Sequence, residues 1–377
     1  MAKFGERWES NLRDLAGEAA ARAVAAAKIE GKLIQAVYGG CMASGKLVGQ
    51  EHIGALLADQ LDLNPIAATR VEAACASGGV ALRQGYLAIA SGAYDLVAVG
   101  GVEKMTEVST EEVTDALGGA GDQEWELFHG ASFPALYALM ARRHMHEFGT
   151  TEEMFGQCSV KNHANGVHNP YAQFQRAITL EDVMNSGYIA NPLKLLDCSP
   201  ITDGAAVVIL AASEVARKYT DAPVAIAASA QASDSLMLAN RATLTGINAT
   251  TVASRAAFKQ AGVEHKDIDL AEVHDCFSIA ELMALEDMGF YAKGKAGPAT
   301  LEGETALNAK LSVNPSGGLK ACGHPVGATG VKQAVEAFWQ LRGEAGQRQV
   351  KDAEVALAHN VGGSGATAVV HIFKRGD

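Results

Sequence analysis

From Leu12 to Ala27 apolar residues recur at helical spacing in an Ala-rich run, which predicts a first helix. A strand over Leu33–Val37 follows and ends at Gly39-Gly40. Thr69–Ala74 reads as a short strand that runs into Cys75-Ala76-Ser77-Gly78-Gly79, with a helix over Val80–Ser91 closed by Gly92. Asp95–Gly101 is an apolar run bounded by glycines, the pattern of a strand buried on both faces. Strand, helix and strand in this order are βαβ grammar.

Between about residues 104 and 203 the alternation lapses. A Met-, Arg- and His-rich helix near Ala135–Phe148 stands among polar loops containing Asn169-Pro170 and Asn191-Pro192, and the segment reads as an inserted lid. Gly204–Ala212 restores an apolar strand, Val224–Ala228 suggests another, and a helix covers Thr250–Ala261. The pattern continues with strand Leu270–Val273, helix Ser278–Met288, a Gly-rich stretch Asn314–Gly330 leading into a helix, and closing strands Val355–His359 and Ala366–Phe373. This order predicts an α/β protein of two similar halves, residues 1–213 with the insertion at about 104–203, and residues 214–377.

Composition agrees with that reading. A chain of 377 residues exceeds the size at which a single core usually stops growing, and 40 glycines with 6% aromatics suit many tight strand-to-helix turns. Lys plus Arg total 31 against 43 Asp plus Glu, a net charge of -12 without a basic run, which argues against a nucleic-acid partner. Six cysteines without a C-x-x-C pair suggest neither a disulfide framework nor a zinc site, and no metal is implied by ligand spacing. Glu6, Arg7 and Glu9 interrupt any signal-peptide core, no stretch is apolar enough to span a membrane, and Lys374-Arg375-Gly376-Asp377 is not a peroxisomal address. The expected setting is the cytoplasm.

Cys75 carries the candidate chemistry. A thiol between a strand and a helix sits at the helix N-terminus, where the macrodipole favours the thiolate that attacks thioesters. The competing reading is a buried structural cysteine. Bases and oxyanion donors are offered by His274-Asp275-Cys276-Phe277 at a strand end and by Gly323-His324-Pro325-Val326-Gly327-Ala328-Thr329-Gly330 opening a helix. His144, His146, His163, His168 and His265 read as surface or loop residues. His359-Asn360-Val361-Gly362-Gly363-Ser364-Gly365 follows an apolar strand, where its N–H groups could hold a thioester oxyanion. It is not a phosphate fingerprint, because no helix and no Lys-Ser or Lys-Thr follows.

The four motifs Cys75-Ala76-Ser77-Gly78-Gly79, His274-Asp275-Cys276-Phe277, Gly323–Gly330 and Asn360-Val361-Gly362-Gly363, in this order, resemble those of thiolases, over nearly the whole chain. The resemblance is nearest to archaeal and bacterial thiolases of the sterol-carrier-protein-x type. It implies two βαβαβαββ halves in a five-layered α-β-α-β-α core with an inserted loop domain. It also implies acyl transfer through an acyl-Cys75, either thiolytic cleavage of a 3-ketoacyl-CoA or the reverse condensation. His324 would deprotonate Cys75, His274 and His324 would hold the enolate oxygen, and the N–H groups of Cys75 and Gly362 would form the second oxyanion hole. Coenzyme A and acyl-CoA are then substrates, with no permanently bound cofactor. A homodimer or tetramer is expected, with a possible small OB-fold partner.

Two departures from the family pattern matter. The best-known thiolases carry an Asn where this chain has His274, and a second catalytic cysteine where it has Asn360, an amide that cannot take the alpha proton of acetyl-CoA. Cys276 is the candidate replacement and Cys322 its rival. The chain also begins at Met1-Ala2-Lys3-Phe4-Gly5, where relatives place a turn after a first strand, so a strand inside the first sheet is expected to be missing through a misassigned or truncated start. Other readings are a retro-aldol lyase of thiolase fold, against which Cys75 and both histidines argue, a decarboxylating ketoacyl synthase, from which the His-Asp-Cys-Phe and Asn-Val-Gly-Gly signatures point away, and a scaffold subunit of a hydroxymethylglutaryl-CoA synthase complex.

Overall fold

The computed structural model describes residues 1–376, so Asp377 of the C-terminal tetrapeptide lies outside the described residues. The chain opens with helix α1 (Leu12–Ala27), strand β1 (Ala36–Gly40), short helices α2 (Ser44–Val48) and α3 (Ile53–Gln60), strand β2 (Ala67–Val71), helix α4 (Ser77–Ala90) and strand β3 (Leu96–Glu103). Helices α5 (Thr110–Gly118), α6 (Phe133–Phe148), α7 (Glu152–Gly166) and α8 (Leu180–Asn185) and the small ladder β4 (Tyr188–Ala190) and β5 (Leu193–Lys194) precede β6 (Gly204–Ala211) and α9 (Ser213–Ala216). Then come β7 (Val224–Ser233), α10 (Asn248–Ala261), β8 (Leu270–Glu272), α11 (Ser278–Asp287), α12 (Ala296–Leu301), β9 (Ser312–Val313), α13 (Gly318–Cys322), α14 (Thr329–Leu341), β10 (Val355–Gly362) and β11 (Thr367–Arg375).

Local chemistry explains several boundaries. Asn11 Oδ1 accepts from the Arg13 and Asp14 amides, Lys28 closes α1 in the left-handed region, and Leu12, Leu15, Ala16, Ala19 and Ala20 form its buried stripe. Every residue of β3 is buried, as its unbroken apolar run requires. The first strand starts later than its apolar run suggests, because Gly31–Leu33 forms a 3-10 turn. The inserted segment departs from the expected loops: α5 to α8 make it largely helical, with Ser109–Glu112 and Thr179–Asp182 capping boxes starting two of them.

The first sheet has the order β2-β1-β3-β6 and the second β7-β11-β10-β8-β9. In each, the core strands run parallel and the last strand of the half, β6 or β11, returns antiparallel. Helices α4 and α14 touch strands of both sheets and each other, whereas α1 and α3 cover the outer face of the first sheet and α10 that of the second. The layers are therefore α-β-α-β-α. In the second sheet β7 flanks β11 at the edge, whereas in the first sheet β6 is itself the edge strand. At that edge Ala2 N donates to Ala205 O at 2.9 Å.

Glycine sets the spacing of the middle layer. A Cβ on Gly40 would lie 2.7 Å from Gly78 Cα, one on Gly101 2.2 Å from Gly327 O, and one on Gly330 2.2 Å from Gly79 N. Gly39-Gly40 and Gly100-Gly101 sit in register on β1 and β3, so both strand ends lack side chains where the helix N-termini rest on them. Buried carboxylates hold the joints around this seam. Glu103 accepts from the Met42, Ala43 and Gly327 amides at 2.8–3.0 Å, tying the second half to the first. Asp203 accepts from Lys104 Nζ at 2.7 Å, from Thr106 Oγ1 and from the Arg7, Met105 and Thr106 amides, which pinches together the two ends of the insertion.

Two stability predictions follow. Gly330→Ala should cost about 3 kcal/mol or more, because its Cβ meets backbone that cannot yield. Gly31→Ala, which meets nothing within 4 Å, should stay within about 0.5 kcal/mol, as read by denaturant titration. Burial works to raise the Asp203 carboxyl, but the Lys104 and Thr106 hydrogen bonds and backbone amides hold it below the usual range. Its contribution is complete above the unfolded carboxylate value, about 3.9, and is lost as pH falls through the lower folded value. The stability gap between wild type and Asp203→Asn should thus be constant from pH 5 to 8 and narrow below about pH 4.

Candidate active site

Cys75 lies between β2 and α4, one residue before the α4 N-cap Ala76. The turn presenting it is tight: Ala74 has φ +52°, a left-handed conformation that L residues adopt at a cost. Side chains hold it there. Ser77 Oγ donates to Ala74 O at 2.6 Å and accepts from Ala73 N at 3.0 Å, while Glu72 Oε1 accepts from Ala74 N at 2.6 Å. Gly78 and Gly79, expected to shape the turn, lie in the first turn of α4, where the absence of Cβ lets α14 and Asn360 approach.

His274 follows β8, His324 lies between α13 and α14, and Asn360 belongs to β10. The fold brings Cys75 Sγ and one ring nitrogen of each histidine within 4.8 Å of one another. The two rings are edge to face, with centroids 5.1 Å apart. His324 Nδ1 is 2.7 Å from Thr329 Oγ1, whose proton points to Pro325 O at 3.1 Å, so Nδ1 donates and the Nε2 lone pair is free. The Nε2 atoms of both histidines are buried with no hydrogen-bond partner among the described residues.

Burial opposes charge throughout the site. Burial pushes the Cys75 thiol up to about 12, against the smaller opposing pull of the Gly363 N–H on its sulfur. Burial thus works against the thiolate that the helix dipole favours. Burial takes His324 down to about 3 and holds His274 well below the usual imidazole range, with His324 and His359 adding to the second effect.

Cys276 and Cys322 are placed differently. Cys276 is close enough to Cys75 for a charge there to raise its thiol, and it lies beside Tyr137, whose hydroxyl donates to Gly363 O at 3.1 Å. Burial raises the Cys276 thiol far above its usual value. Cys322 accepts from Asn169 Nδ2 at 3.5 Å and packs in the cluster containing Phe4 and Ala172, with its thiol raised to about 11 by burial. Gly362 packs against Ala73 O, where a Cβ would come within 2.4 Å.

Sequence reasoning missed several members of this site. Asp275 accepts from the Leu319 and Lys320 amides at the start of α13, joining the His274 loop to the segment that ends at His324, and Gly318 leaves room for it. Asn162 Nδ2 of α7 bridges Asp275 and Glu281 at 2.7 and 2.8 Å. Burial, then Glu281, raises the Asp275 carboxyl. Tyr137 lies on α6, and no periodicity marks it as a partner of Cys276. His144 and His163, expected at the surface, are buried; His144 bridges Thr150 and Glu286.

Comparisons with known proteins agree with this geometry. The family described as Thiolase, N-terminal domain matches residues 1–214, and Thiolase C-terminal domain-like matches residues 230–375. An acetyl-CoA acetyltransferase of Methanothermobacter thermautotrophicus is 55% identical over 375 residues, covering 100% of this chain and 97% of the relative. Sterol carrier protein 2 of Oryctolagus cuniculus is 35% identical, covering 100% of this chain and 71% of the relative. A solved structure titled Ltp2-ChsH2(DUF35) aldolase superposes with a TM-score of 0.87 at 26% identity, over 99% of this chain and 95% of that one. Motifs, layers and matches along the full length converge on one conclusion: the chain belongs to the thiolase family.

Proposed function

We propose that this chain is an acetyl-CoA C-acyltransferase that works through an acyl-Cys75. The observation that carries the reading is the meeting of Cys75 Sγ with a ring nitrogen of both His274 and His324, two buried histidines whose Nε2 atoms have no other partner among the described residues. In the cleavage direction His324 Nε2 takes the Cys75 proton as sulfur attacks the 3-keto carbonyl. The carbon–carbon bond breaks, the acyl group stays on Cys75, and the leaving enolate carbon takes a proton from Cys276. His274 and His324 donate to the enolate oxygen, and the Cys75 and Gly362 amides to the thioester oxygen. Coenzyme A then gives its thiol proton to Cys276 and attacks the thioester, and the released Cys75 sulfur recovers its proton from His324. Concentrations set the direction, because thioester exchange is nearly isoenergetic.

The name of the archaeal relative supports acetyl as the transferred group. Cys276 is preferred over Cys322 as second acid/base because it lies near enough to Cys75 to feel its charge, whereas Cys322 packs in the cluster with Phe4 and Ala172. A cytoplasmic homodimer or tetramer with no permanently bound cofactor completes the proposal. So does a small OB-fold partner; that a partner protein is used is supported by the second component, ChsH2(DUF35), in the structural neighbour's title. No helix is long and apolar enough to cross a membrane among the described residues.

Two measurements test the reading. Exchange of label between acetyl-CoA and free coenzyme A needs Cys75 as acyl carrier and Cys276 as the base for the incoming thiol. Cys75→Ala should abolish exchange, whereas Cys276→Ala should still take up an acetyl group on Cys75 but slow both exchange and cleavage of acetoacetyl-CoA by about 10²–10⁴-fold. Exchange that survives in Cys75→Ala rejects the proposal. Alkylation of Cys75 by iodoacetamide without substrate should rise about tenfold per pH unit from pH 6 to 9, since only the thiolate reacts and the thiol titrates near 12. A plateau in that range would mean a preformed thiolate.

A further inference from the structure

The two active-site histidines have opposite protonation patterns, and Asn360 sets one of them. The Asn360 amide cannot be turned around. Its Oδ1 accepts from Gly79 N at 3.2 Å and its Nδ2 donates to Cys75 O at 3.0 Å, two backbone groups of fixed polarity. The same Nδ2 lies 3.1 Å from His274 Nδ1. A nitrogen that faces an N–H must accept, so the single proton of the neutral His274 ring is on Nε2. His324, by contrast, donates from Nδ1 to Thr329 and keeps the Nε2 lone pair. Both Nε2 atoms are buried without a partner among the described residues, and one ring nitrogen of each histidine lies within 4.8 Å of Cys75 Sγ.

We infer that Asn360 is a positioning residue that locks His274 in the Nε2–H tautomer, so that the pocket offers one imidazole proton and one imidazole lone pair. The inference rests on the acyltransferase reading for its use, though not for its geometry. With the lone pair of His324 a proton can leave Cys75; with the proton of His274 a developing oxyanion finds a donor before any proton has moved. Two matched tautomers would give two bases with no donor, or two donors with no base. The lock has a second consequence. A thiol and two imidazoles this close resemble a Cys-His-His ligand set, but a metal needs the lone pair of each ring nitrogen, and Asn360 withholds that of His274. The amide thus keeps zinc-like cations from capturing the nucleophile. Asn360 therefore has a task of its own at the position where other thiolases carry a cysteine.

The test reads the proton directly. Long-range proton–nitrogen correlation spectra of protein labelled with 15N-histidine, with His274 and His324 assigned through His274→Asn and His324→Asn, should show His274 protonated at Nε2 and His324 at Nδ1. A His274 proton on Nδ1 overturns the inference. In Asn360→Asp the carboxylate accepts from Nδ1–H and so moves the ring proton from Nε2 to Nδ1. Acetoacetyl-CoA cleavage should then fall about 10²–10³-fold while acetyl-CoA/coenzyme A exchange falls less than about tenfold. Cobalt(II) should bind with a thiolate charge-transfer band that wild type lacks. An unchanged His274 tautomer and cleavage rate in that variant also overturns it. Should wild type show no exchange at all, the acyltransferase reading fails while the tautomer measurement still decides this one.

Discussion

The close approach of the N-termini of α4 and α14 is the constraint on which the rest of the molecule depends. Five glycines, at positions 40, 78, 101, 327 and 330, let backbone meet backbone there, and Gly79 leaves room for the Val369 and Asn360 side chains, with distances that any Cβ would violate. The seam brings the thiol of the first half and the histidine loops of the second half into one pocket. Strand ends of both sheets converge on it, so neither half alone contains a working set of groups. The buried carboxylates act at the same joint: Glu103 holds the Gly327 loop, Asp275 holds the start of α13, and Asp203 closes the base of the insertion.

Burial at this seam also decides the electrostatics. Burial raises the Cys75 thiol and lowers both histidines, so it works against a standing ion pair among them. Reactivity then depends on where neutral hydrogen-bonding groups point, which the partners of each ring fix: Thr329 for His324 and Asn360 for His274. Preorganised dipoles of this sort need no rearrangement when charge develops during reaction.

Much of the frame could be read in the sequence because it is written locally. The α1 boundaries follow from its apolar stripe, and β3 from an unbroken apolar run. The motifs around Cys75, His274 and His324 could be read because glycines and strand ends flank them. The helices of the insertion had legible signals too, in the Ser109–Glu112 and Thr179–Asp182 boxes, but these were masked by the surrounding polar composition. What could not be read is long-range. Asn360 meets Gly79 across 281 positions, Asp275 meets Asn162 across 113, and the burial that opposes the helix dipole at Cys75 exists only once both halves have packed. His144 and His163 were assigned to the surface for the same reason.

The central claim is that the glycine seam presents Cys75 as an acyl carrier. Intact mass spectrometry with peptide mapping after brief exposure to acetoacetyl-CoA tests it most directly. The account predicts one acetyl group on Cys75 that disappears on addition of free coenzyme A. An unmodified protein, or an acetyl group on another cysteine with Cys75 free, would contradict it.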